Sequence, residues 1–233
     1  MALPKLITPE FETTIPSSKK KIKFRPFLVK EEKILYMALE GGNEDEIENS
    51  IIKVLEDCIL ADVDPRKLAS YDVEYLFLQL RSKSVGEVVE LSLRHGADTD
   101  CDHRTPVQVD LNKVKVKFFK DHEYKININD ELGMKLKDPT LSDLNGMTDT
   151  DYNNTIKLIA NCVDMVYDKE DVYPDFTIEE ATEFLLSMTQ EQFKNIEKFF
   201  DTLPKLQHEI KWTCPECGKK DSVTVEGLQS FFT

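Results

Sequence analysis

The stretch KWTCPECGKK, residues 211–220, sets two cysteines three positions apart beside the chain's single tryptophan. Two chemistries use that spacing. A redox Cys-x-x-Cys lowers its thiol pKa at a helix N-terminus within a βαβ unit, whereas a metal knuckle turns tightly between strands and aims backbone amides at both sulfurs. Here Pro215 stiffens the turn, Gly218 permits a left-handed residue just past Cys217, and Lys219 and Lys220 lead into the alternating run SVTVEGL, residues 222–228. These residues fit a knuckle better than a redox motif.

A tetrahedral structural zinc takes four nitrogen or sulfur ligands, so Cys214 and Cys217 are half of a site. The other half belongs where a second polar turn separates two β-like runs: EVVELSLR (87–94), then HGADTDCDHRT (95–105), then PVQVDL (106–111). Cys101 lies in that turn, and PVQVDL mirrors SVTVEGL, so the two hairpins form a zinc-ribbon-like pair of knuckles. His95, Asp98 and His103 flank Cys101, with Asp98 standing where a second ribbon cysteine would be. The sequence thus predicts one structural zinc on Cys101, Cys214 and Cys217, with a fourth ligand drawn from His95, Asp98 and His103. The rival reading is an empty turn at Cys214 and Cys217, with Cys101 an ordinary loop thiol.

Composition narrows the function classes. Thirty Lys and Arg against forty-four Asp and Glu give a net charge of −14, which repels polyphosphate and disfavours nucleic acid as a partner, and with it a zinc-ribbon nucleic-acid adaptor. No apolar run approaches the roughly 18 residues of a membrane span, and the start MALPKLITPEFE lacks the charged-then-apolar design of a signal peptide, so the expectation is a soluble, unsecreted chain with no membrane partner. Five cysteines, an odd number, suit a reducing compartment. Cys58 and Cys162 sit in apolar helical patterns and read as core residues, and Lys19 to Lys23 as a solvated turn.

The rest of the chain alternates β and helical patterns. FETTIPSSKKKIKFRPFLV (11–29) reads as a hairpin broken at Pro16 to Lys20. A helix follows from Val29 and stops at Gly41 and Gly42; the next is capped by Asn43 and puts Ile47, Ile51, Val54, Leu55 and Cys58 on one face. A third covers Tyr71 to Arg81. Strands are expected at 114–119, 124–128 and 132–136, then a helix from Asp151 to Met165 started by Asp149 or Thr150. Thr177 with Glu180 and Thr189 with Gln192 are capping boxes, so two short helices follow, the second with an apolar face of Phe193, Ile196, Phe199, Phe200 and Leu203. The fold class is α+β, helical portions packed with β-hairpins, in segments 1–85, 86–138, 139–206 and 207–233, the last closing on 86–111 in one compact unit.

No Gly-rich phosphate loop, GxSxG, HExxH or triad grouping occurs, and the chain reads as a non-enzyme. Glu31/Glu32 and Glu179/Glu180 read as helix-start acids that favour the dipole, and His122 and His208 as surface residues. The acidic loop DKEDVYPD (168–175) is a solvated connection or a partner edge.

Several segments in order, PSSKKKIKFRPFLVKEEKILYMALE (16–40), YDVEYLFLQLRSKSVGEVVELSLR (71–94), TPVQVDLNKVKV (105–116) and CPECG (214–218) before GLQSFF, resemble the baseplate hub assembly proteins of T4-like contractile-tailed phages. The resemblance runs nearly end to end, and RPFLVKEEK and LRSKSVGE are its most specific parts. It implies an assembly chaperone in the host bacterial cytoplasm whose partners are other phage tail proteins, tape-measure or hub components; a permanent subunit of the baseplate hub is the alternative. It also implies two cysteines at the first knuckle, of which Cys101 matches the second while Asp98 takes the place of the first. Candidate client-binding surfaces are the Phe193 to Leu203 helix and the terminal Phe231 and Phe232, with core packing as the competing use of each.

Overall fold

A computed structural model describes residues 6–95, 101–144 and 152–231. The architecture is α+β, with seven α-helices and several small antiparallel sheets among the described residues. Contacts divide it into two compact units: one gathers the residues up to Pro65, Tyr71–Lys117 and those from Lys205 onward, and the other holds Arg66–Ser70 and Phe118–Pro204. This differs from the single unit in four segments expected from the sequence. The boundaries fall after Lys117 and Pro204 because strands far apart in sequence pair with one another, which local patterning does not reveal.

The first unit opens with β1 (Phe11–Thr14) and β2 (Lys21–Phe24), paired with Phe11 opposite Phe24. Ile22 and Phe24 face the core while Lys21 and Lys23 face water, the period-2 alternation their sequence dictates. The helix α1 (Val29–Gly41) ends at Gly42, whose left-handed φ of 67° lets its N–H reach the Ala38 carbonyl. In α2 (Glu44–Cys58) the Asn43 side chain accepts the Glu46 N–H, the expected cap. Next come α3 (Ser70–Ser84), the hairpin of β3 (Val88–Leu93) and β4 (Thr105–Asp110), and the short β5 (Lys115–Lys117).

Two buried acids fasten these elements. Glu31 was expected to sit near a helix start for its dipole alone; it is fully buried. Its carboxylate accepts from the Arg25 guanidinium at 2.9 Å and from the Leu28 N–H at 2.7 Å. Arg25 donates in turn to the Asp57 carbonyl at 3.0 Å, so one ion pair joins β2 to both ends of the α1–α2 hairpin. Burial alone would raise the Glu31 carboxyl, but Arg25, the Leu28 amide and Lys30 outweigh it and hold it down at about 2. Asp72, also buried, accepts the Ser17 N–H at 2.9 Å and the Ser17 hydroxyl, tying the β1–β2 turn to α3. Cys58 is fully buried, and burial pushes its thiol up to about 11.

The second unit carries β6 (Lys125–Asn127), β7 (Gly133–Leu136), α4 (Leu141–Leu144), α5 (Tyr152–Cys162), β8 (Val163–Tyr167), β9 (Val172–Tyr173), α6 (Ile178–Leu186) and α7 (Gln190–Asp201). The strands form one sheet in the order β6-β7-β8-β9. Gly133 is required where β7 meets β8, because a Cβ there would lie 2.5 Å from the Tyr167 ring. The expected helix to Met165 ends at Cys162, and VDMVY becomes β8 through its ladder with β7, a non-local partner that overrides the helical spacing. Asp149 and Thr150, the starts proposed for that helix, lie outside the described residues. Both capping boxes are present: Thr177 and Glu180 open α6, and Thr189 and Gln192 open α7.

One apolar cluster fills this unit, with Met134, Leu136, Ile159, Leu185, Ile196 and Phe199 at its centre. The apolar face of α7 is therefore core: Ile196 and Phe199 are buried, with Phe193, Phe200 and Leu203 packed against them. His122 is not a surface residue. Its ring packs against Tyr124 and Phe199, its Nδ1 lies 3.0 Å from the Thr202 hydroxyl, and burial lowers its pKa. Cys162 is fully buried, and burial pushes its thiol up to about 12. In the acidic loop, Asp168 accepts the amides of Glu170 and Asp171 and the Tyr173 hydroxyl, so the loop closes on itself. None of the helices among the described residues is long and apolar enough to cross a membrane.

The chain then returns to the first unit with β10 (Lys205–Thr213), which pairs on one side with β5, Lys205 opposite Lys117, and on the other with β11 (Lys220–Glu226). His208 lies half-buried in β10 opposite Val225.

Candidate metal centre

Each knuckle is shaped by its own hairpin. Thr213 pairs with Lys220 at the end of the β10–β11 ladder, leaving Cys214 to Lys219 as the turn. The Cys214 N–H donates to the Lys219 carbonyl and the Gly218 N–H to the Cys214 carbonyl, both at 2.9 Å, while Gly218 takes φ 72°. That left-handed residue is what a side chain would resist, and it closes the turn behind Cys217. The pair thus lies between two strands and not at the start of a helix, which is knuckle geometry. The amide of Cys217, and behind it the His95 side chain and the Glu216 amide, hold the Cys214 thiol down at about 6 against its burial.

The other knuckle brings His95, just past β3, and Cys101, before β4, to the same place. The ligand atoms of His95, Cys101, Cys214 and Cys217 all lie within 4.8 Å of one another. Cys101 Sγ stands 3.9 Å from Cys214 Sγ, and Cys217 Sγ stands 3.3 Å from His95 Nε2. A disulfide would need about 2.05 Å. A tetrahedral zinc with Zn–S near 2.3 Å and Zn–N near 2.05 Å has edges of about 3.8 Å between sulfurs and about 3.6 Å from sulfur to nitrogen, so the cluster is close to the size such an ion demands. The His103 amide favours the Cys101 thiolate, but burial and the Cys217 and Cys214 sulfurs prevail and keep that thiol above its ordinary value. A divalent cation would remove this mutual repulsion.

The surroundings orient the imidazole. Its Nε2 lies 3.3 Å from the Cys217 sulfur, and its Nδ1 faces the Asp221 carboxylate at 3.5 Å, longer than a hydrogen bond but on the side from which a carboxylate orients a metal-ligating histidine. Trp212, cross-strand from Asp221 and itself buried, stacks on His95 with ring centroids 6.4 Å apart. Of the three residues proposed for the fourth position, His95 is in the cluster. His103 is not: its Nδ1 pairs with Glu216 Oε2 at 3.0 Å. Asp98 lies outside the described residues. Asp221 escaped the sequence reading because it has no ligand spacing of its own; only its register opposite Trp212 marks it.

Such a set, three thiolates and an imidazole, can hold one divalent metal with all four positions filled by protein, the pattern of structural and not catalytic zinc. A family model described as T4 bacteriophage base plate protein matches residues 8–233. The comparisons with curated proteins and with solved structures found no match. The chain belongs to the T4 bacteriophage base plate protein family.

Proposed function

We propose that this baseplate-family chain is a non-enzymatic chaperone of baseplate hub assembly that binds another tail protein, a tape-measure or hub component, in the host bacterial cytoplasm, and that one zinc on His95, Cys101, Cys214 and Cys217 holds its two knuckles together. The family match over residues 8–233 carries the baseplate part of this reading. The closed four-ligand cluster supports a structural metal, because it leaves no coordination position for a substrate. A chaperone must also keep apolar surface uncovered for its client, and α1 does so at Tyr36, Met37 and Leu39, each 60% exposed or more.

The alternative is a permanent subunit of the baseplate hub, a reading that the family's description as a base plate protein favours. Mass spectrometry of purified virions set beside infected-cell extracts separates the two. A chaperone is abundant in the extracts, co-purifies there with a tail protein, and is absent from virions. Stoichiometric retention in virions overturns the chaperone reading in favour of the subunit. Metal analysis of the same purified chain is expected to give one zinc per chain.

A further inference from the structure

The first unit leaves an apolar groove of about 480 Å3 among α1, α2 and α3, with Leu228 also in its lining. Leu35, Leu39, Ile47, Ile51 and Phe77 line it; Ser50 and Arg81 are its polar members. Leu39 is 63% exposed, and the apolar surface continues onto the outer side of α1 at Tyr36 and Met37. Surface of this kind on a folded unit marks a place where another chain lies, and methionine is common on surfaces that adapt to a partner.

Charge specifies the partner. Between Lys33 and Lys53 the sequence holds five carboxylates, Glu40, Glu44, Asp45, Glu46 and Glu48, and neither lysine nor arginine. Glu46 and Glu48 bracket the lining residue Ile47 along α2, and Glu46 Oε2 lies 3.1 Å from where a Cβ on Gly41 would stand, so its carboxylate closes over the α1–α2 turn. An acidic rim on an apolar floor is complementary to a helix with an apolar stripe and basic flanks. The 13 residues of α1 extend about 20 Å, matching some three to four turns of a facing helix with anchors at i, i+4 and i+7.

We propose that this groove binds a basic amphipathic helix presented by another polypeptide. The inference rests on the chaperone reading for its biology, but its test needs no phage protein. The probe is a synthetic 18-residue helix with a leucine stripe flanked by lysines, compared by fluorescence anisotropy with a peptide of the same stripe flanked by glutamates. The lysine peptide is expected to bind with a Kd on the order of micromolar, at least about tenfold tighter than the glutamate peptide, and to weaken as salt rises. Leu39→Asp, at a largely exposed position, and Glu46→Lys/Glu48→Lys are each expected to weaken it about tenfold with the melting temperature unchanged.

Equal binding of both peptides, or binding indifferent to Leu39→Asp, overturns the proposal. Concentration-dependent dimerisation by light scattering that Leu39→Asp abolishes also overturns it, since a second copy would then be the occupant. Stoichiometric retention in virions would end the chaperone reading while leaving peptide binding at the groove intact, so the two failures are distinguishable.

Discussion

Among the described residues, five of the six buried polar or charged side chains, Glu31, Asp72, Ser82, His95 and Thr105, belong to the first unit, and only Thr202 to the second. The second unit wraps its sheet and helices around a single apolar cluster. The first is built from three small sheets and three helices, and its parts are pinned by directional groups: Arg25 on Glu31, Ser17 on Asp72, and the cysteine–histidine cluster between two hairpins. A two-stranded hairpin buries too little to stand alone, so the first unit adds specific bonds where the second relies on area. The first is accordingly expected to respond to metal and pH, and the second to lost volume.

The largest effect expected is from Cys214→Ser/Cys217→Ser. The variant should lose its zinc and up to on the order of 10 kcal/mol of stabilisation. Hydrogen exchange should show protection lost in β3, β4, β10 and β11 and kept in β7 and β8. Metal-free protein with an unchanged melting temperature would break the contrast between the units. In the second unit Phe199→Ala should cost about 4 kcal/mol in urea unfolding by opening a cavity, with no dependence on added zinc or chelator.

Next comes Glu31→Ala, which strands Arg25 beside a buried site and removes the acceptor for the Leu28 N–H; about 3 kcal/mol is expected in the same assay. A loss below about 0.5 kcal/mol would show the ion pair to be ornamental. The smallest effect concerns Glu74 on α3, whose carboxyl is raised to about 7 by burial despite the Leu228 amide. Its folded pKa lies above the unfolded value of 4.5, so the folded state binds more protons in that window and stability falls as pH rises through about 7. Measured against wild type from pH 4 to pH 8, Glu74→Gln should flatten this decline. Parallel curves would mean that the carboxyl is solvated.

What the sequence made legible were features whose causes are local. The N-terminal hairpin follows from alternation around Pro16 to Lys20, the ends of α1 and α2 from Gly42 and Asn43, and α6 and α7 from two capping boxes. The knuckle was readable because Cys214, Pro215, Cys217 and Gly218 determine their own turn. Features decided by distant partners were not readable: β8 is a strand because β7 lies beside it, and the division into units depends on β5 meeting β10. The fourth member of the cluster stood among three neighbours of equal chemical claim until the fold brought His95, and Asp221 behind it, to the sulfurs. Glu31 misled because a helix-start acid and a buried ion-pair partner look alike in a string of letters.

The two sulfurs Cys101 and Cys214 that meet at the cluster are 113 residues apart in the chain. At a ribosome's pace of about 5–20 residues per second, the first waits roughly 6–23 s for the second to be made. Through that interval the Phe118–Pro204 part of the second unit is synthesised while the early hairpin has only half of its ligands. A cation held by all four ligands could be captured only once translation has passed Cys217, so ion capture there would report that the polypeptide has been made through its second knuckle.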